Sequence, residues 1–134
     1  MYTNDFSTCS RGVLIYVHNS LIAKQLDYEQ PPQEIVTVEI KGHNDTLTIS
    51  SIYRSPNSSE DNDKCIYNFI ENLVAKTSGK IMLIGDFNFS DIDWETGTAK
   101  STNSNSFIEI LRENFLIQNV VMLRGQGERM NLIC

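Results

Sequence analysis

Apolar and polar positions change period several times along the chain, and each change marks an element. "RGVLIYVHNSL", Arg11 to Leu21, sets Val13, Ile15 and Val17 against Leu14, Tyr16 and His18, with both sets largely apolar. That is the pattern of a strand buried on both faces. "EIVTVEIKG" puts Val36, Val38 and Ile40 on one face and Thr37 and Glu39 on the other, a half-exposed strand. "GHND" supplies turn chemistry, and "TLTISSIYR" resumes the alternation with Leu47 and Ile49, so the two runs predict an antiparallel hairpin. His43 falls in that turn and His18 at a strand end.

After "SPNSSEDND" the period lengthens. Ile66, Phe69, Ile70, Leu73 and Val74 stand at i, i+3, i+4, i+7 and i+8, which predicts an amphipathic helix of about four turns. Ser58 or Ser59 is placed to cap it, Glu60 and Asp61 suit the positive end of its dipole, and Gly79 is placed to stop it. "KIMLI" then reads as a short apolar strand. Strand, helix and strand between Thr46 and Ile84 predict a crossover unit with a parallel strand pair. A polar loop is expected from Phe87 to about Asn103, a second helix from Ser104 to Phe115 with Phe107, Leu111 and Phe115 on one face, and a last strand in "QNVVML". No repeat or linker divides the chain.

The 134 residues, 40% hydrophobic with 7 Gly and 3 Pro, fit one globular domain or a large piece of one. No apolar run approaches the roughly 18 residues that span a bilayer, and "MYTNDFSTCSRG" lacks a basic flank and an apolar h-region. The expectation is an intracellular chain, nuclear or cytoplasmic, neither secreted nor in a membrane. Cys9, Cys65 and Cys134 are odd in number and far apart, hence reduced thiols. The glycosylation-like triplets at Asn44, Asn57 and Asn88 then carry no meaning. Eleven basic against 17 acidic residues, a net charge of −6, disfavours a plain nucleic-acid-binding module. A metal-dependent nuclease is less disfavoured, because an ion recruited by carboxylates inverts the local field.

Candidate chemistry follows from the crossover. Parallel strands end at one edge of the sheet, and ligands of open α/β sheets bind outside those carboxyl ends. Tyr53 closes one strand in "IYRSPN" and Asp86 the other in "LIGDFN", so the two motifs are expected to face one site. Gly85 permits a close backbone approach just before the acid, and Asn88 presents an amide two residues on. Pro56 stiffens the loop after Tyr53 and Arg54, a phenol and a guanidinium suited to a phosphate-sized target.

"IYRSPN" and "GDFN", about thirty residues apart with a helix between, resemble the endonuclease/exonuclease/phosphatase superfamily. With "RGVLIYVHNSL", "VTVEI", "KIMLIGDFNFSDIDW" and "NSFIEILRENFL", the chain is similar to the endonuclease domain of a non-LTR (LINE-type) retrotransposon polyprotein, from Arg11 to about Ile133. The resemblance implies an α/β (α+β) fold, a two-sheet β-sandwich flanked by helices. It implies a Mg²⁺- or Mn²⁺-dependent DNA endonuclease that cuts phosphodiesters by in-line attack of water, and a reverse transcriptase in the same full-length polypeptide. Where residues match, Asp86 would orient and deprotonate the water and ligate the metal, Asn88 would bond the phosphate or the water, and Tyr53 would contact the phosphate. Arg54 would support the strand being cut.

The chain also departs from that pattern. The family's Asn- and Glu-bearing first strands precede the "RGVLIYV" strand, and "MYTNDFSTCS" matches neither. No Ser-Asp-His follows, the chain ending at "RMNLIC". The expectation is a partial domain over residues 1–134, truncated at both ends, with little nuclease activity alone; the alternative is an inert remnant or binding module that keeps the fold. Asp91, Asp93 and Glu95 do not make an EF-hand, since Thr96 replaces Gly at the sixth position and Thr102 the bidentate Glu at the twelfth; they are expected to be solvated loop acids, with Trp94 packed over the sheet. Calcineurin-like metallophosphoesterases also place Gly-Asp after an apolar strand, but two histidines cannot supply their two-metal site.

Overall fold

The computed structural model describes residues 1–7, 11–119 and 131–133. Strands β1 (Tyr2–Ser7) and β2 (Arg11–Ile15) form an antiparallel pair. A second sheet holds β3 (Ile22–Gln25), β4 (Ile35–Lys41), β5 (Thr46–Tyr53), β6 (Lys80–Asp86) and β7 (Asn131–Ile133), in that spatial order. Helices α1 (Glu60–Lys76) and α2 (Thr102–Glu113) complete the described elements. Among the described residues no helix is long and apolar enough to cross a membrane.

The five-stranded sheet is covered on both faces by different partners. On one face Val36 and Val38 of β4 meet Val13 of β2, with Tyr2, Ile15, Ala23, Ile40 and Tyr53 around them. On the other, Ile35, Ile52 and Leu83 pack under Ile66, Phe69, Ile70 and Leu73 of α1 and Phe107 and Leu111 of α2. Burying one such aliphatic or aromatic side chain is worth about 1.5–3 kcal/mol, so the helix-side cluster dominates the core. The result is the expected two-sheet arrangement flanked by helices.

The hairpin pairs Val36 with Ser51, Val38 with Ile49 and Ile40 with Leu47, the face read from the alternation. Its opposite face is not half-exposed, however. Thr37 is buried and bonds the Ser50 hydroxyl at 2.9 Å, because two hydroxyls that satisfy each other can lie under a helix. The strand at Val13 also differs from expectation: only one of its faces is buried, while Leu14 and Tyr16 are 52% and 74% exposed. The β1–β2 pair lies over the larger sheet by one side, and no described residue buries the other. Strands β1 and β3 carry too little apolar alternation to be read in advance.

Helix α1 starts where Ser59 Oγ accepts the Asn62 N–H at 3.2 Å, with Glu60, Asp61 and Asp63 in its first turn. It ends at Thr77, whose N–H reaches Leu73 O at 3.0 Å, two residues before the expected Gly79. Glycine at position 79 instead makes room for the neighbouring strand, since a Cβ there would stand 2.2 Å from the Thr46 carbonyl oxygen. Helix α2 begins at Thr102 with Ser101 as its cap. Phe115, expected on its buried face, lies beyond the last turn at φ 56° and is 91% exposed. The expected polar loop opens with two core residues, Phe87 and Phe89, whose ring centroids lie 5.1 and 4.5 Å from that of Phe107. Trp94 packs against the same core. Of the expected strand "QNVVML", residues 120–123 lie outside the described residues.

Candidate active site

The carboxyl ends of β5 and β6 come together as neighbours. The two strands are parallel, and their register pairs Ile52 with Gly85 and Tyr53 with Asp86. Adjacent strands lie about 4.8 Å apart, so phenol and carboxylate rise side by side. Alternation puts both on the face that Tyr53 shares with the inter-sheet cluster. Gly85 makes the approach possible: its φ is 154°, and a Cβ would stand 1.8 Å from the Ile52 carbonyl oxygen.

Past the last ladder pair, three contacts clip the loops together. Arg54 N–H donates to Asp86 O at 2.9 Å. Asn88 N–H donates to Asp86 Oδ1 at 3.1 Å, and Asn88 Nδ2 donates to Arg54 O at 2.6 Å. Asn88 holds a left-handed φ of 50°, a conformation in which Asn is several-fold enriched among non-glycine residues. Because a carbonyl can only accept, the amide orientation is set: Nδ2 points back to the backbone. Oδ1 and the second N–H remain for a ligand. Phe87 and Phe89 anchor this turn in the helix-side core, which leaves Asp86 and Asn88 half-buried on the other side.

Arg54 is drawn inward. It is 5% exposed, with Nε and one terminal nitrogen on Asp63 at 2.6 and 2.9 Å. The other terminal nitrogen donates to Phe87 O at 3.4 Å and Asn88 O at 3.2 Å, and the guanidinium lies 4.1 Å from the Phe89 ring centroid. The residue expected to reach a cut strand therefore sits behind the loop and braces it. Burial works against the Asp63 carboxylate, but hydrogen bonds from Arg54 and Asn103 and the guanidinium charge outweigh it and hold its pKa below the usual value. Tyr67 in turn donates to Asn103 O at 3.0 Å, so α1 and α2 share the network.

Other candidates lie apart. His18 is exposed and bonded to Ser20 Oγ at 2.8 Å, and His43 is in the turn at the far end of the hairpin. Asp91 is a loop acid, half-exposed but with fixed partners. It accepts from the Ser104 hydroxyl and from the N–H groups of Lys100 and Ser101 at 3.1 and 2.8 Å, tying the loop to the start of α2. A cavity of about 370 Å³ opens at the opposite edge, between the start of β5 and the end of α1, and includes none of Tyr53, Asp86 or Asn88.

Among the described residues no three of His, Cys, Asp and Glu gather closely enough to hold a metal ion. Asp86 is the carboxylate at this edge; Mg²⁺ takes six ligands but keeps several waters, and is commonly held by one or two carboxylates together with substrate phosphates. Sequence reasoning missed Asp63 and Asp91, for an acid in a first helical turn or a loop shows no outward sign of being buried or capped by serines.

Residues 47–126 match a family model described as endonuclease-reverse transcriptase. Among solved structures, the endonuclease domain of TRAS1, a telomere-specific non-LTR retrotransposon, matches with a TM-score of 0.63 at 20% identity, over 87% of this chain and 57% of that one. The likeness is one of fold, and this chain spans just over half the length of that domain. No curated protein matches.

Proposed function

The chain belongs to the endonuclease-reverse transcriptase family, and from that premise we propose that Tyr53, Asp86 and Asn88 form the phosphodiester-facing part of a retrotransposon-type DNA endonuclease. The observation that carries this reading is the direct pairing of Tyr53 with Asp86, with Asn88 clipped to both strand ends. In-line hydrolysis needs a base for the attacking water and donors at the oxygens where charge builds. The Asp86 carboxylate takes the water's proton as the water oxygen bonds to phosphorus and the opposite P–O bond breaks, the departing strand's oxygen taking its proton from solvent. Asn88 Oδ1 accepts from the same water, and its second N–H and the Tyr53 hydroxyl donate to phosphoryl oxygens. A bound Mg²⁺ or Mn²⁺ would supply Lewis-acid stabilisation of the phosphoryl charge; Asp86 is the carboxylate this edge offers it. With one such ligand among the described residues, this chain by itself is expected to nick DNA slowly at most. In the longer polypeptide a reverse transcriptase domain would accompany it.

Titration of the ¹⁵N-labelled chain with a short DNA duplex in Mg²⁺ tests the reading. The largest shifts are expected at Tyr53, Gly85, Asp86 and Asn88; shifts centred elsewhere, or none, would overturn it. Any nicking of supercoiled DNA should fall roughly 100-fold or more in Asp86→Ala. DNA held at this edge and left uncut would instead identify a binding module that keeps the fold without the chemistry.

A further inference from the structure

We infer that Asp63, on the first turn of α1, is a positioning residue of this edge: through Arg54 it holds the Asp86–Asn88 turn in place. The inference rests on the edge being the working one.

The turn does not hold itself. Asn88 sits at φ 50°, a left-handed conformation that Asn tolerates better than most residues but that still costs energy unless its surroundings support it. What faces it is the Arg54 guanidinium, a rigid planar fork. Asp63 takes two of the fork's nitrogens at 2.6 and 2.9 Å. That fixes the direction of the third, which reaches Phe87 O and Asn88 O at 3.4 and 3.2 Å. The return contact, Asn88 Nδ2 to Arg54 O at 2.6 Å, closes a two-way clasp between residue 54 and residue 88. Phe89 supports the guanidinium from its face.

Asp63 and Arg54 are 2% and 5% exposed, so without the carboxylate the guanidinium would be a buried charge lacking its counterion. It would then leave the two carbonyls for water. The Asn88 amide and its bond to Asp86 Oδ1 would loosen with it, although Asp63 itself never touches the ligand. Asn103 Nδ2 on Asp63 Oδ2 braces the carboxylate from α2.

Hydrogen exchange of the full chain, read residue by residue without DNA or metal, tests this. In Asp63→Asn the Asn88 and Arg54 amides are expected to accelerate about tenfold or more beyond whatever acceleration the β4–β5 hairpin amides share through the loss of global stability. Uniform acceleration would mean Asp63 only supports global stability, and unchanged exchange at Asn88 would mean the clasp does not depend on it; either overturns the inference. If Asp63→Asn does not fold, Arg54→Lys, which keeps the charge and loses the fork, is judged by the same local, uniform or unchanged pattern. A failure here leaves the DNA titration untouched, and a chain that ignores DNA would leave the exchange result standing.

Discussion

Replacing Gly85 with alanine puts a methyl group into the main chain of β5. The new Cβ would stand 1.8 Å from the Ile52 carbonyl oxygen, 2.8 Å from its carbon and 3.1 Å from its nitrogen, at a φ of 154°. Ordinary contact lies near 3.5 Å, so β6 must withdraw by roughly 1.5 Å or residue 85 must change conformation. Withdrawal loosens about two ladder bonds, each worth about 0.5–1.5 kcal/mol, and the strained backbone adds about 1–3 kcal/mol. The expected loss is about 2–6 kcal/mol. With a urea slope of about 1–3 kcal/mol/M, the midpoint should fall by at least about 0.7 M. Gly97→Ala is the control. Its φ is 64°, but the added Cβ would meet only the tip of Arg112 at 2.6 Å, so the cost is that of the backbone alone, about 1 kcal/mol. Urea unfolding followed by circular dichroism decides the matter. A Gly85→Ala variant that loses under about 1 kcal/mol, or no more than Gly97→Ala, would refute the close strand approach as the reason for glycine before the acid.

Other outcomes follow from the same structure. Asp63→Ala should cost about 3–5 kcal/mol by leaving the buried Arg54 uncompensated, and an apolar double replacement of both residues should cost less than that single change; urea unfolding of the three variants checks this. Hydrogen bonding, first from the Ser104 hydroxyl, lowers the Asp91 pKa to about 2. The unfolded chain therefore takes up this proton more readily, so the stabilisation is full above about pH 4 and lost as pH falls toward 2. Thermal melts between pH 2 and 5 should show a shallower decline for Asp91→Asn than for the parent chain. Asn88→Gly and Asn88→Ala both lose the amide contact to Arg54 O, but Ala must also hold the left-handed φ, so thermal melts should show Asn88→Ala less stable than Asn88→Gly by about 1 kcal/mol; both should lose the DNA-induced shift at Asp86.

The parts of the fold that can be read in advance are those whose side chains repeat with a clear period. The alternation through Val36, Val38 and Ile40, and the helical spacing from Ile66 to Val74, place β4, β5, α1 and β6 in order, and crossover geometry then brings Tyr53 and Asp86 to one edge. Alternation also carries past the strand, since Phe87 and Phe89 turn to the core while Asp86 and Asn88 turn away, although the segment reads as a polar loop. What stays hidden is set by tertiary contact. Arg54 looks like a phosphate ligand until Asp63 is seen buried beside it, and Leu14 and Tyr16 look like core until their outer side is seen to lack a cover among the described residues. Phe115 fits the helical period, but the helix ends before reaching it.

The pairing of Tyr53 with Asp86 also has a kinetic side. The hairpin closes across the four residues between Lys41 and Thr46, whereas Tyr53 meets Asp86 across the 32 residues between them, which include all of α1. Loop closure alone makes the second event costlier by roughly 1.5–2 kcal/mol, and parallel pairing waits for its crossover helix to dock. In refolding, pulse-labelled amides of the hairpin should gain protection before those of Arg54 and Asn88, with the reverse order refuting the sequence of events. The carboxyl edge would then be among the last parts of the described fold to mature, and a chain caught midway would have its hairpin without a site.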